Sequence, residues 1–487
     1  MRRLTALTLF ALLGCRPSAP ALDPGTVPPV AASPSLPPPS EPAPVPLYFS
    51  GAVELPGAAL PFYVALKPKA GSWTATIDIP LQGTRGLALQ SVAYDNTRLS
   101  FALDVVAAKW TATLDAEGES TACELAQAGG KFPCSLAAID ATVYADLVAP
   151  KRPQTPKPPF PYATREVTIT SGEQKLAGTL AIPAGAGPHP AAILITGSGA
   201  QDRDETLFEH KPFAVIADHL ARHGIASLRL DDRGVGGSTG DLSKVTTADL
   251  ADDVLAAHAW LATQPEIAAK RIGVIGHSEG GIVGPAAAAR DRNIAFVVML
   301  AGTGVTGREI VVKQTELITR KSGLPEAEVA KAVEQQRQIF DALNSIKDEA
   351  AARARIAEII RSAAPIDDAA LAPQLDILFS PWFRAFMAYD PRPALAKVKV
   401  PVLALVGELD LQVDAQQNLP EIEKALRKAK NRRVTARRLP GLNHLFQPAK
   451  TGLVAEYGAV EQTLSTEVLA LVSDWIAALW PSSAARP

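Results

Sequence analysis

The sequence predicts an α/β protein: a mostly parallel sheet with helices on both faces and a helical lid insertion, preceded by a small antiparallel all-β domain. Three observations carry this. From about residue 163, short apolar runs ending in glycine alternate with amphipathic helical stretches, the pattern of a parallel sheet covered on both faces. That alternation stops over residues 306–390, which are rich in Ala, Glu, Lys and Arg, and resumes afterwards. Residues 47–148 alternate with period two instead.

The chain has 487 residues, of which 47% are hydrophobic, enough for more than one core. Its formal net charge is −2, so no basic excess points to nucleic acid and no acidic excess to disorder. The opening "MRRLTALTLFALLGC" has two arginines and a short apolar stretch, too short to span a bilayer, and reads as an export signal over residues 1–15. Its end, Leu12-Leu13-Gly14-Cys15, resembles the lipobox of bacterial lipoproteins, which implies lipidation at Cys15 and a periplasmic or cell-envelope location. An ordinary cleaved signal with a stray cysteine is the alternative. Residues 16–46 are proline, alanine and serine in the main and suit a tether.

In the 47–148 domain, Trp73, Ala75, Ile77 and Ile79 alternate, as do Leu99, Phe101, Leu103 and Val105, with turns such as "YDNTR" between. Cys123 and Cys134 sit in two apolar-tending runs joined by Gly129-Gly130, a hairpin that would bring them close. Export permits a disulfide there; two small buried residues in adjacent strands are the alternative. A second proline-rich linker spans 149–162, and the catalytic domain is expected over 163–305 and 391–487.

Within that domain, "VIGHSEGG" runs from a buried strand into a helix and carries Gly276, Ser278 and Gly280 as G-x-S-x-G. A strand-to-helix turn this tight strains the serine backbone and leaves no room for side chains two residues to either side. Ser278 is therefore the candidate nucleophile, and a serine hydroxyl needs a base. Of the seven histidines only His444, in "LPGLNHLF", follows Ser278, as the order serine, acid, histidine requires. The acid should follow "VPVLALVG", where Glu408, Asp410 and Asp414 stand; Asp410 fits best, and Asp414 suits a helix cap. The oxyanion donors expected are the N–H groups of Glu279 and of Ser198 in "ITGSGAQDRDE", with Gly199 next. The charged run Asp202–Glu205, with Asp232 and Arg233, is expected to buttress the site. In the lid, "FSPWFRAFMAYDP" clusters aromatics. Trp382 and Phe383, with Gly199, are expected to line the substrate pocket, although packing of the lid onto the sheet explains them equally.

"ITGSGAQDRDE", "DDRGVGGSTGD", "GHSEGG", "VGELDLQV" and "LNHLFQ" together resemble the exported α/β-hydrolases grouped with serine aminopeptidases (S33) and dienelactone-hydrolase-like esterases, in order from about residue 165 to 480. The resemblance implies a Ser278, Asp410, His444 triad acting on carboxylic esters of small acyl groups. No cofactor or metal is implied, since no cluster shows ligand spacing. The expected partners are a small-molecule ester and, through the N-terminal lipid alone, a membrane. Peptidase activity with the same triad and a non-catalytic surface binding module are the rival readings.

Overall fold

The computed structural model describes residues 45–481, apart from 56–57, 81–83, 128–129, 150, 364–365 and 367. The signal, Cys15 and the tether up to residue 44 lie outside the described residues. The chain divides into two compact units, with the boundary between Lys151 and Arg152.

The first unit pairs nine strands: β1 (Leu47–Leu55), β2 (Ala58–Lys69), β3 (Ser72–Ile79), β4 (Thr84–Ala88), β5 (Gln90–Tyr94), β6 (Arg98–Leu103), β7 (Ala108–Leu114), β8 (Ser120–Gln127) and β9 (Gly130–Ile139). Their order is β4-β3-β2-β1-β9-β8-β7-β6-β5, and the pairings of β1, β2, β8 and β9 are antiparallel. Alternation along β7 buries Ala108, Trp110, Ala112 and Leu114 on one face, with Trp110 stacked on Phe101. Cys123 and Cys134 are joined by a disulfide between β8 and β9, with Cα atoms 4.9 Å apart. The antiparallel sheet expected is present, and the unit ends in addition in the helix α1 (Ala141–Val148). None of its residues is buried, and its apolar residues Val143 and Leu147 are exposed, so no core-facing side marks it. It is tethered by the Tyr144 hydroxyl donating to Asp78 Oδ2 at 2.5 Å.

The second unit holds β10 (Ala163–Ser171), β11 (Gln174–Ile182), β12 (His189–Ile195), α2 (Pro212–Arg222), β13 (Ala226–Leu230), α3 (Thr247–Leu261), β14 (Ile267–His277), α4 (Gly280–Arg290) and β15 (Val297–Leu300). The lid helices are α5 (Gly307–Lys321), α6 (Glu326–Ser345), α7 (Glu349–Ala363), α8 (Asp368–Phe379) and α9 (Pro381–Ala388). Then come α10 (Arg392–Leu395), β16 (Val402–Gly407), α11 (Ala415–Lys428), β17 (Val434–Leu439), α12 (Val454–Tyr457) and α13 (Thr466–Ala478). The sheet order is β10-β11-β13-β12-β14-β15-β16-β17. β10, β11 and β13 pair antiparallel, and β12 to β17 with β13 are parallel. This is the α/β-hydrolase arrangement expected from the motifs.

Two apolar clusters cover the two faces of the sheet, one around Ile193, Val274 and Val402, the other around Leu194, Ile275 and Leu403. Neighbouring residues of one strand feed opposite faces, which is why these strands read as continuous apolar runs. Thr246 and Asp249 form a capping box at the start of α3, and Thr306 and Glu309 form another where the lid begins; each contributes about 1 kcal/mol. The lid has its own core, around Phe340, Ile356, Leu378 and Phe383. The proline-rich stretch after residue 151 is anchored rather than free. Arg152 donates to the carbonyls of Phe208, Gly458 and Val460, and Gln154 Oε1 accepts from the amides of Thr463 and Leu464.

Candidate active site

β14 ends at His277 and α4 starts at Gly280, so Ser278 occupies the turn. Its φ is +53°, left-handed and strained for a residue with a Cβ. The Ser278 N–H is held by the Leu300 carbonyl at 2.8 Å, which pins the turn to the end of β15. The flanking glycines are required by space. A Cβ on Gly276 would stand 2.0 Å from the Gly280 oxygen, and one on Gly280 would stand 2.1 Å from the Ile195 oxygen.

Asp410 lies three residues beyond β16, whose last residue, Gly407, packs so close to the Leu442 carbonyl that a Cβ would be 2.3 Å away. That contact sets the exit of β16 against the loop carrying His444. Asp410 Oδ1 accepts the N–H groups of Gln412 and Val413, both at 2.8 Å, and Oδ2 accepts from His444 Nδ1 at 2.8 Å. With Nδ1 donating to the acid, Nε2 of a neutral imidazole is the free acceptor. The two other candidate acids are engaged elsewhere: Glu408 with Arg438 and the Gly441 amide, Asp414 as the cap of α11 through the Gln416 amide. The His444 loop is held from inside by Asn443, fully buried. Its Oδ1 accepts the amides of Leu445 and Gln447, and its Nδ2 donates to Gln447 Oε1. Ser278 and His444 line one cavity of about 540 Å3, with Leu207, Phe208, Leu445, Val454 and Tyr457 supplying apolar wall.

The loop after β12 passes beside the serine. Gly197 is tightly placed, its Cβ position being 3.2 Å from Ser278 Cβ, so a side chain there would push on its neighbours. The Gly197 N–H is already taken by Glu205 Oε1 at 2.7 Å. Among the described residues, the N–H groups of Ser198 and Glu279 have no hydrogen-bond partner. The charged run supports this loop, as expected. Asp232 accepts from Thr196 Oγ1 at 2.7 Å and from the Gln201 amide at 2.9 Å. Arg203 makes a two-pronged pair with Asp231, and Arg233 another with Asp253. Asp202 folds the loop on itself through Thr206.

On the other side of the loop lies a second cavity of about 630 Å3, lined by Gly199, Asp232, Glu279 and Trp382 with Leu230, Leu250 and Val254. Burial raises the Glu279 carboxyl, against the pull of hydrogen bonds from Ser198 and the Trp382 indole, whose Nε1 lies 3.1 Å from Oε2. Burial likewise pushes Asp232 up to about 8. Gly199 and Trp382 thus line a cavity together, but not the one that opens on Ser278. Phe383 lines neither of these cavities. It is 3% exposed and packs within the lid against Phe340, because α9 turns that face inward. Sequence reading missed His277, Asn443 and Gln447, and gave Glu205 only a general supporting place in the charged run; the Glu205–His277 bond spans 72 residues and leaves no local pattern.

The sheet order, the strained turn and the buried Asp410–His444 pair define a hydrolase of the α/β-hydrolase superfamily. Residues 171–437, more than half of the chain, match the family described as X-Pro dipeptidyl-peptidase (S15 family), and the chain belongs to that family. The match takes in Ser278 and Asp410 and ends before His444; the S33 grouping suggested by the motifs is not what it shows. Esterase EstD of Thermotoga maritima is 27% identical over 255 residues, covering 52% of this chain and 54% of EstD, so the chain spans about half the length of that curated relative. Among solved structures, a Pyrococcus furiosus esterase is 18% identical and covers 66% of this chain and 91% of its own, with a TM-score of 0.40. A dienelactone hydrolase from Anabaena variabilis is 20% identical and covers 65% and 98%, with a TM-score of 0.37.

Proposed function

We propose that the protein is a serine esterase that cleaves carboxylic esters of small acyl groups through an acyl-enzyme. Ser278 Oγ attacks the carbonyl carbon while His444 Nε2 takes its proton. Asp410 holds the tautomer that leaves Nε2 free and stabilises the imidazolium. The Ser198 and Glu279 N–H groups receive the oxyanion. His444 then protonates the leaving alcohol, and water, activated by the same nitrogen, releases the acid. The observation that carries this reading is the 2.8 Å bond from His444 Nδ1 to an Asp410 whose other oxygen is fixed by two backbone amides.

Esters are favoured over peptides by the cavity itself. Among the described residues that line it, the carboxylate is Glu205, whose Oε1 is already bonded to the Gly197 amide and to His277, so it is tied into the protein rather than set out as a site for a substrate ammonium. Membership of the S15 family favours the amide reading, with Glu279 and Asp232 as carboxyls that line the neighbouring cavity. Hydrolysis of p-nitrophenyl butyrate compared with glycyl-prolyl and aminoacyl p-nitroanilides decides between them. The ratio of kcat/KM is expected to favour the ester by more than about 100-fold; the reverse ranking overturns the esterase reading.

We further propose that acyl chains longer than acetyl extend from Ser278 past Gly197, which lines both cavities, into the second one, and that Trp382 is its wall. Trp382→Ala is expected to change the acetyl-to-hexanoyl ratio of kcat/KM by about 10-fold, with little effect on Tm, since Trp382 is only half-buried. An unchanged ratio with a large fall in Tm would make Trp382 a core residue. An exported, lipid-anchored protein is the reading supported by the lipobox and by the Cys123–Cys134 bond. Mass spectrometry of the unreduced protein from cells is expected to find diacylglycerol on Cys15, and an unmodified terminus beyond it would remove the anchor.

A further inference from the structure

We infer that Glu205 and His277 form a positioning pair that locks the oxyanion loop and the His444 loop to the nucleophile turn; the inference rests on the Ser278–Asp410–His444 reading. His277 precedes the serine, and both it and Glu205 are buried, Glu205 to 1% exposure. His277 Nδ1 lies 2.9 Å from Glu205 Oε1, and Nε2 lies 3.0 Å from the backbone oxygen of His444. The same Glu205 Oε1 accepts the Gly197 N–H. One imidazole therefore ties together the end of β14, the loop after β12 and the loop after β17.

The proton count follows from the acceptors. A carbonyl oxygen brings no hydrogen, so Nε2 must carry one. A carboxylate oxygen brings none either, so a second proton lies between Nδ1 and Oε1. A neutral ring beside an ionised Glu205 would set two lone pairs face to face. The geometry thus gives the pair two protons, one on Nε2 and one shared between Nδ1 and Oε1. The groups facing it agree. Burial alone lowers His277, but the Glu205 charge and hydrogen bond, the His444 carbonyl and the Asp410 charge outweigh it and the pKa is raised. Asp232 and Glu279 hold the other buried carboxyls around the loop.

Both residues line the cavity that opens on Ser278, but the pair's hydrogen bonds run to each other, to the Gly197 amide and to the His444 carbonyl, so the effect is on geometry. Displacing the His444 carbonyl moves the ring relative to Ser278, and displacing Gly197 moves the oxyanion amides. A misplacement on the order of 1 Å costs about 100-fold in rate. The direction with pH is fixed as well. A histidine raised in the folded state contributes stability that is complete below its ordinary value of about 6.5 and is lost as pH rises through the raised one. The lock therefore fails on the alkaline side.

The test uses the full chain and three proteins: wild type, Glu205→Gln and His277→Gln. Glu205→Gln is expected to lower kcat for p-nitrophenyl butyrate about 100-fold with KM within about threefold, and to move the alkaline limb of kcat to lower pH. A 15N-histidine spectrum of the wild type is expected to show one ring with both nitrogens protonated at neutral pH, a signal absent from His277→Gln. A Glu205→Gln profile superimposed on the wild type, or a singly protonated His277, overturns the inference. If His277→Gln fails to fold, assignment of the ring through the wild-type backbone resonances of His277 keeps the spectrum decisive. If the wild type cleaves no ester while the doubly protonated ring is present, it is the esterase reading that fails and the pair that stands.

Discussion

Replacing Ser278 with alanine is expected to lower kcat on p-nitrophenyl esters by about 10^4- to 10^6-fold while leaving the fold intact. Alanine keeps a Cβ at φ +53°, so the strain of the turn is the same in both proteins. The Leu300 carbonyl still holds the backbone N–H, and the glycines on either side still make the room. What is lost is the one oxygen that can form the acyl-enzyme. Residual turnover would come from the oxyanion amides and substrate binding alone. Circular dichroism and Tm should match the wild type; a folded variant retaining a tenth of wild-type kcat would remove Ser278 from the nucleophile's role.

Asp410→Asn is expected to lower kcat by about 10^4-fold. The local hydrogen bonds give the reason. Oδ1 is fixed as the acceptor of the Gln412 and Val413 amides. Asparagine would keep its carbonyl oxygen in that place and turn its NH2 towards His444 Nδ1. That nitrogen would then have to accept, which puts the imidazole proton on Nε2, facing the serine it must deprotonate. Binding is untouched, so KM should change little. Asp414→Asn is expected to change kcat by less than about twofold, because asparagine caps a helix as well as aspartate does. The opposite ranking of the two variants would move the acid to Asp414.

What could be read from the chain divides along physical lines. Strands of the catalytic sheet were legible because burial on both faces makes them continuous apolar runs, as in Val402–Val406. The turn at Ser278 was legible because steric need writes glycine at fixed offsets. Chain order selects His444 but leaves three acids; Asp410 is favoured by its place three residues past Gly407, and Asp414 reads as a cap from its place before a helix. Less was visible where partners are distant in sequence. Helix α1 has no buried stripe, and its anchor, Asp78, lies 66 residues away from Tyr144. The two aromatics "WF" look alike in sequence, yet α9 points Trp382 at Glu279 and Phe383 into the lid core. Which neighbour faces a cavity depends on how the helix is rotated, and an all-aromatic stretch does not encode that. Glu205 and His277 are 72 residues apart and meet only once the sheet has formed.

The most direct measurement is the site of covalent modification. The wild-type protein is treated with a fluorophosphonate, digested and mapped by mass spectrometry. The account predicts a single adduct, on Ser278 in the peptide that carries "GHSEGG", formed at a much lower rate in Asp410→Asn. An adduct on a different residue, or none while the ester is still hydrolysed, would contradict it.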